Sequence, residues 1–542
     1  MNVLWIMCDQ LRFDYLSCAG HPTLKTPNID ALASRGVRFD RAYVQSPICG
    51  PSRMSSYTGR YCRSHGSTWN GFPLRIGEPT LGDHLRDLGV RPALVGKTHM
   101  IADRGGMDRL GIDPGSDVGL HHSECGFEPF ERDDGVHPYG PSNNQNLRYN
   151  RYLREHGFDG ENPWEDWANS AEGDDGELLS GWLMKYNNLP ARVPEEHSET
   201  AYMTNRAMAF MEEAGDQPWL CHLSFIKPHW PYIVPAPYHD MYGPDDILPP
   251  IRTEAERDPA RIHPVFRAFQ ESRICQTFVR PGVRETVIPS YMGLIKQIDD
   301  HLGRLFAWME ARGLAENTMV VFSSDHGDYL GDHWMGEKDL FHDVSVRVPL
   351  IVYDPRAEAD ATRGQVCDEL VEYIDLAPTF QEFFGGPPLP HILEGRSLMP
   401  LLHAQPGTKP GWRRYAISEY DYSTRHARLA LDVAPEDARM IMVCDKDWKY
   451  VHAEGFRPML FDLVNDPDEL EDLGDHPDHA ATRARLYEAA CAWSRQFHTR
   501  ITVPPDHVER QAAIGESPGM LIAYWDEADF ERSFSKPFAE RP

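Results

Sequence analysis

The chain is short of positive charge: 54 Lys and Arg stand against 83 Asp and Glu, a net charge of −29. A surface of that sign repels phosphate backbones, which argues against nucleic acid as a partner. No run of 18 apolar residues occurs, so no segment reads as a membrane span. The opening apolar run, residues 3–7, has no basic flank before it and no small-residue cleavage site after it, so it reads as a strand rather than a secretory signal. Ten cysteines in 542 residues include no C-x-x-C pair, which excludes a small disulfide scaffold and the common zinc ribbons. Reduced thiols and a cytoplasmic location are the expectation. Biased tracts are missing too, while 41% hydrophobic and 11% aromatic residues provide for a large folded core.

The first hundred residues alternate between strand and helix patterns. Residues 3–7 end at Asp9-Gln10, where polar side chains begin. Thr26-Pro27 opens a helix, with Thr26 as N-cap and proline at the first position, and Gly36 closes it. Residues 37–44 alternate as a strand, and a helical run starts at Ser52. Leu81, Leu85 and Leu88 then mark a short amphipathic helix before a strand at 93–95. This pattern predicts an α/β fold with an open, mostly parallel sheet and helices on both faces.

Residues 101–190 are rich in Gly, Asp and Asn with weak periodicity. They predict a substrate-shaping insertion within a large domain spanning 1–410. Further strands are expected at 219–225, 319–322 and 348–353, with a helix whose apolar positions run from Met292 to Phe306. Short strands at 440–443, 448–452 and 459–461, then a helix at 482–497, predict a smaller C-terminal domain with an antiparallel sheet over 411–505. The tail, 506–542, carries Trp525, Phe530, Phe534 and Phe538. These are costly to leave in water, which predicts packing on the body or a homodimer or higher oligomer.

Ligands in doubly wound sheets bind beyond the carboxyl ends of strands. Asp9 and Asp325-His326 follow two such ends. Singly, an Asp after a strand reads as a turn or cap residue. Together, two carboxylates and a neutral imidazole suit one divalent cation, with Mn2+ favoured and Mg2+ or Ca2+ as alternatives. Cys49 stands just before a predicted helix start, where the N-terminus stabilises negative charge and lowers a thiol pKa. Its plain alternative is a small buried hydrophobe.

The run Cys49-Gly50-Pro51-Ser52-Arg53, with Thr58-Gly59-Arg60 behind it, closely resembles the C-x-P-x-R signature of the sulfatase family, within the alkaline phosphatase superfamily. Other pieces resemble that family's elements in its order: Asp9, Gly96-Lys97-Thr98-His99, Lys227-Pro228-His229, Asp325-His326-Gly327-Asp328 and Lys338. Gly395-Arg396-Ser397-Leu398 and Leu460-Phe461-Asp462-Leu463 extend the likeness into the C-terminal part. The resemblance implies an alkaline-phosphatase-like large domain. It further implies that a formylglycine-generating enzyme oxidises Cys49 to formylglycine (3-oxoalanine), the nucleophile, and that Asp9, Gln10, position 49, Asp325 and His326 hold the metal.

Under the same resemblance, Lys97 and Lys338 balance charge on the sulfuryl oxygens and, with Asn70 and His229, bind substrate. His229 or Lys338 protonates the departing alcohol or phenol, His99 serves as base, and Arg53 hydrogen-bonds the formylglycine diol. The pairs Asp9-Gln10 and Asp325-His326 resemble the branch of phosphonate monoester hydrolases and choline sulfatases, and Asn70 resembles an active-site asparagine of the phosphonate hydrolases, whereas Lys97 and His99 resemble sulfatases. The implied activity is hydrolysis of aryl sulfate monoesters, with phosphonate or phosphodiester hydrolysis alongside. The alternatives are a phosphonate monoester hydrolase or phosphodiesterase, a thiol hydrolase using Cys49 with His99 or His229, and a non-catalytic binding protein that keeps the Cys49 thiol.

Overall fold

The structure, a computed structural model, describes residues 1–135, 147–405, 411–496, 501–514 and 525–534. Residues 1–388 and 393–496 form one compact unit, and 389–392 with 497–542 form a second.

The first unit is organised by eight strands: β1 Asn2–Asp9, β2 Val37–Tyr43, β3 Arg91–Gly96, β4 Glu128–Arg132, β5 Trp219–Pro228, β6 Thr318–Ser324, β7 Arg347–Tyr353 and β8 Gln365–Glu372. Their spatial order is β8-β2-β7-β6-β1-β5-β3-β4. Every neighbouring pair is parallel except those made by β7, which runs antiparallel to β6 and β2. All eight residues of β1 are buried, the near-continuous apolar pattern of a parallel strand covered on both faces.

The covering helices are α1 Pro27–Arg35, α2 Cys49–Thr58, α3 Leu81–Asp87, α4 Glu199–Ala214 and α5 Val283–Ala311. Leu4, Ile6 and Cys8 share one core with Phe210 of α4 and with Ile295 and Leu302 of α5. Trp5 points the other way, edge-on to Tyr57 of α2 with ring centroids 5.6 Å apart.

Two expectations change on contact with the tertiary structure. Thr26 does not cap α1; its hydroxyl goes to Ser17 and Asp30. The cap is Asp299 of α5, which accepts from the N–H groups of Asn28 at 3.0 Å and Ile29 at 2.9 Å. A carboxylate suits a helix N-terminus better than a hydroxyl does, and only the folded chain brings it there. The 101–190 stretch is not wholly outside the scaffold, because β4 lies within it and extends the sheet beside β3.

The C-terminal antiparallel sheet forms as expected. Strands β9 Ala416–Asp421, β10 Arg439–Cys444, β11 Trp448–Ala453 and β12 Met459–Asp462 pair antiparallel in sequence order. Helix α6, Ala480–Arg495, packs Leu486, Ala490 and Trp493 against Ile417, Val443 and Leu460. This sheet belongs to the same compact unit as the main one. Glu372 at the end of β8 accepts from the N–H of Ile417 at 2.7 Å.

In the second unit, helices Pro505–Ile514 and Glu527–Phe534 are formed and Trp525 is 91% exposed. Phe497 and Phe538, and the side chains of Phe530 and Phe534, lie outside the described residues. Among the described residues no helix is long and apolar enough to cross a membrane.

Candidate active site

Strands β1 and β6 are parallel neighbours in the register Cys8↔Ser324, so Asp9 and Asp325-His326 leave the sheet at one rim. Helix α2 begins at Cys49 and delivers it to the same place. The ligand atoms of Asp9, Cys49, Asp325 and His326 lie within 4.8 Å of one another, and all four residues are buried. Cys49 Sγ is 3.0 Å from His326 Nε2, 3.6 Å from Asp9 Oδ1 and 3.4 Å from Lys338 Nζ.

That donor set fits a divalent cation: two carboxylates, an imidazole nitrogen and the side chain at position 49. His326 Nδ1 sits 2.9 Å from the carbonyl oxygen of Gly327. A carbonyl can only accept, so Nδ1 keeps its proton and Nε2 is the atom left for an ion.

The electrostatics are those of a dry, charged pocket. Burial alone would raise the Asp9 carboxyl, but Lys97, at 2.5 Å, leads the groups that hold it well below the carboxylate range. Burial and Asp9 push the Cys49 thiol up; Lys338, His326 and Lys97 overcome them and hold it well below an ordinary cysteine. Burial lowers His326, yet Asp325 and Cys49 carry it up to about 9. Lys338 is raised despite its burial, chiefly by the charge at Cys49, and stays a cation.

His229 behaves oppositely. Burial and Lys338 press it well below its ordinary value, so the ring is neutral. Its Nδ1 is 2.6 Å from the carbonyl oxygen of Trp230 and must donate there, which leaves Nε2 as an unprotonated acceptor.

Several predicted residues take other places than expected. Arg53 spends its hydrogen bonds on Asp325 Oδ2 (2.7 Å), Asp9 Oδ2 (3.2 Å), the Lys97 carbonyl and Ser224 Oγ (both 2.8 Å), and none goes to Cys49. It aligns the two carboxylates. Gln10, at φ 67°, turns its amide away to Asp328 Oδ2 (2.5 Å) and Tyr232 (3.3 Å), while its Oε1 accepts from Lys338 Nζ at 2.9 Å. Its side-chain oxygen thus anchors the ammonium of Lys338. Asn70 Oδ1 accepts from the N–H of Gly50 at 2.7 Å, in the first turn of α2.

His99 does not join the cluster. Its backbone N–H is tied to Asp134, and among the described residues its ring makes no hydrogen bond to Cys49 or the acidic ligands. Gly96, just before Lys97, has φ 116°, and a Cβ there would meet the Ser224 carbonyl oxygen at 1.9 Å. The glycine lets β3 and β5 close on each other at the site's floor.

The sequence profile of the Sulfatase family matches residues 1–386, and that of the N-sulphoglucosamine sulphohydrolase C-terminal region matches 331–496. The chain belongs to the sulfatase family. It is 31% identical over 517 residues to the multifunctional alkaline phosphatase superfamily protein PehA of Trinickia caryophylli, covering 91% of this chain and 95% of that one. It is 26% identical over 491 residues to an arylsulfatase of Clostridium perfringens, covering 87% and 90%. The phosphonate monoester hydrolase of Silicibacter pomeroyi has a similar structure, with TM-score 0.79, 28% identity and coverage of 93% and 97%. The fold is alkaline-phosphatase-like, and this sulfatase is a hydrolase of sulfuric esters.

Sequence reasoning missed three contributors to the sulfatase site. Ser224 is a polar residue inside the apolar run of β5, and that anomaly was the available signal. Tyr232 donates to Asp328 at 2.6 Å and so fixes the carboxylate that holds Gln10. Asp339, beside Lys338, accepts from Tyr420 OH at 2.7 Å, a partner 81 positions away that no local pattern could name.

Proposed function

We propose that this sulfatase hydrolyses aryl sulfate monoesters at position 49. Cys49 is matured to formylglycine by a formylglycine-generating enzyme. One divalent ion, Mn2+ by preference, is held by Asp9, position 49, Asp325 and His326. The observation that carries this reading is the convergence of those four ligand atoms within 4.8 Å. The hydrated aldehyde of formylglycine supplies the nucleophile, and a divalent ion held by these residues would supply acidification of that hydroxyl and charge balance at the sulfuryl oxygens.

The chain's own groups then divide the remaining work. Arg53 holds Asp9 and Asp325 in place. Lys97 and Lys338 flank position 49 and stabilise negative charge building on the nonbridging oxygens. Lys338, which keeps its proton at Nζ, protonates the leaving oxygen; a general acid typically supplies about 10²–10⁴-fold. His229, with a free lone pair at Nε2, takes the proton of the second hydroxyl at position 49, so that the carbon–oxygen bond to sulfate breaks, the aldehyde re-forms and sulfate leaves; His99 is the other candidate for this base.

A second reading, phosphonate monoester or phosphodiester hydrolysis as the main activity, is favoured by the likeness to the Silicibacter enzyme and by Asn70 beside position 49. Both ester classes are tetrahedral anions, so side activity on the other is expected. Comparing kcat/KM for 4-nitrophenyl sulfate and 4-nitrophenyl phenylphosphonate separates the two. An excess for the sulfate supports the first reading, and a large excess for the phosphonate reverses it. Mass spectrometry of the peptide carrying position 49 should show the aldehyde. An intact thiol in protein coproduced with the maturation enzyme overturns this mechanism in favour of a binding role.

A further inference from the structure

We propose that Asp134 is a positioning residue for the ester hydrolysis: its carboxylate shapes the turn at 97–100 and so sets where Lys97 delivers its charge. This role rests on the reading that ester cleavage occurs at position 49 with Lys97 stabilising the sulfuryl oxygens. Lys97 Nζ reaches Asp9 Oδ2 at 2.5 Å, and Asp9 Oδ1 lies 3.6 Å from Cys49 Sγ. Yet Lys97 belongs to no regular element. Strand β3 ends at Gly96, and residues 97–100 form neither helix nor strand. The backbone there takes its shape from whatever groups satisfy it.

Lys97 is tied on both sides of its backbone. Its N–H donates to the Ser224 carbonyl at 3.1 Å, and its own carbonyl accepts from Arg53 Nη1 at 2.8 Å. The next two N–H groups, those of Thr98 and His99, both donate to one atom, Asp134 Oδ1, at 2.9 and 3.0 Å. Successive N–H groups that converge in this way form a nest for an anion. His99 has φ 56°, a left-handed backbone that a residue with a side chain keeps only where its surroundings impose it. The shared acceptor imposes it here.

A closed circuit of side chains aims Asp134 in turn. The Asp133 N–H donates to the Gly96 carbonyl at 3.0 Å, which carries the pairing of β3 and β4 on to the turn. Arg132 Nε donates to Asp134 Oδ2 at 3.1 Å, Nη1 to Glu124 Oε1 at 2.7 Å and Nη2 to the Met100 carbonyl at 3.1 Å. Thr98 Oγ1 donates to Glu124 Oε2 at 3.1 Å and accepts from the Met100 N–H at 3.3 Å, so the circuit returns to the turn. Against burial, Arg132 and the His99 N–H bring the Asp134 carboxyl down to about 2, and it stays an anion at neutral pH. Among the described residues Asp134 makes no hydrogen bond to Asp9, Cys49, Asp325 or His326, so its effect on the site passes through the turn.

The test uses the full-length matured enzyme with 4-nitrophenyl sulfate and 4-nitrophenyl phenylphosphonate. Asp134→Ala should lower kcat about 10–10²-fold, as a misplacement of about 1 Å does, with KM changed less than about threefold. Asp134→Asn keeps an acceptor for both N–H groups and should recover most of that loss. In a Lys97→Ala background, Asp134→Ala should lower kcat less than about threefold, because the group it positions is gone. Arg132→Lys, which loosens the aim of Asp134, should show a smaller loss with the same split and takes the place of Asp134→Ala if that variant does not fold. Equal losses in the Asn and Ala variants, an unchanged kcat in Arg132→Lys, or an undiminished loss in the Lys97→Ala background overturns this role. If the wild type cleaves neither ester, the catalytic reading fails instead. Lys97 is then probed directly by trace acetylation with acetic anhydride, read by mass spectrometry. Label should enter Lys97 several-fold faster in folded Asp134→Ala or Arg132→Lys than in wild type, and equal rates overturn the positioning.

Discussion

Cys49 Sγ stands 3.0 Å from His326 Nε2, although 277 positions of chain separate them. Two parallel strand ends and one helix start make this encounter, and an ion at their centre would join all three. Chelation should abolish turnover, and Mn2+ should restore it. His326→Ala should weaken metal binding at least 10–100-fold, the range seen when even outer partners of a metal site are removed. Metal content after dialysis and kcat as a function of added Mn2+ check this; turnover that persists in thoroughly chelated enzyme would sink it.

Arg53 ties Asp9 and Asp325 together from one planar group, through Nη2 at 3.2 Å and Nε at 2.7 Å. Lysine is a point cation and cannot reproduce that fork. Arg53→Lys should therefore cost about 10²-fold in kcat/KM and weaken metal retention in parallel. Steady-state kinetics beside metal analysis give the answer, and a variant with normal metal affinity would show that Arg53 acts elsewhere.

A Cβ at Gly50 would fall 2.7 Å from Asn70 Oδ1. Gly50→Ala should thus destabilise by about 1–3 kcal/mol, as overpacking does, and should lower activity by displacing the first turn of α2. Asn70→Ala removes both the clash and the hydrogen bond to Gly50. The double variant should then be less damaged than the two single costs summed, with a coupling above about 0.5 kcal/mol. Additive urea-denaturation costs would contradict the contact.

Lys338 lies between two residues with left-handed backbones, Glu337 at φ 63° and Asp339 at φ 111°. Neither is glycine, so the surrounding contacts must hold this conformation. The Asp339 carboxylate accepts from Tyr420 OH at 2.7 Å and Arg425 Nε at 3.0 Å, which couples the C-terminal sheet to the lysine. Asp339→Ala should lower kcat about tenfold or more with less change in KM, while Asp339→Asn, which keeps an acceptor, should lose less. Equal losses in both would mean that the carboxylate's hydrogen bonds do not set Lys338.

Burial raises the Glu124 carboxyl from 4.5 to about 7, against the pull of Arg132. Between those values the folded chain binds more protons than the unfolded one, so stability falls as pH rises from 4.5 through 7. The span amounts to about 3 kcal/mol at 1.36 kcal/mol per unit. Urea midpoints of wild type and Glu124→Gln across this window should diverge by that slope, with the wild type alone losing stability on the alkaline side; parallel curves would refute it.

Taken alone, the sequence determined the elements whose cause is local. The apolar run of β1, the proline-led start of α1 and the paired acids after two strands are patterns of neighbours, and each is where the pattern places it, whereas α2 starts at Cys49 rather than at Ser52. Partner choice was decided only in three dimensions. Asp299 rather than Thr26 caps α1, Arg53 serves the carboxylates, and Gln10 turns to Lys338. The His99 N–H goes to Asp134, and Trp182 meets Trp230 from the insertion. The physical reason is common to all of these: a buried hydrogen-bonding group takes the best-aligned partner that the assembled fold brings within about 3 Å, and sequence spacing carries no information about that distance.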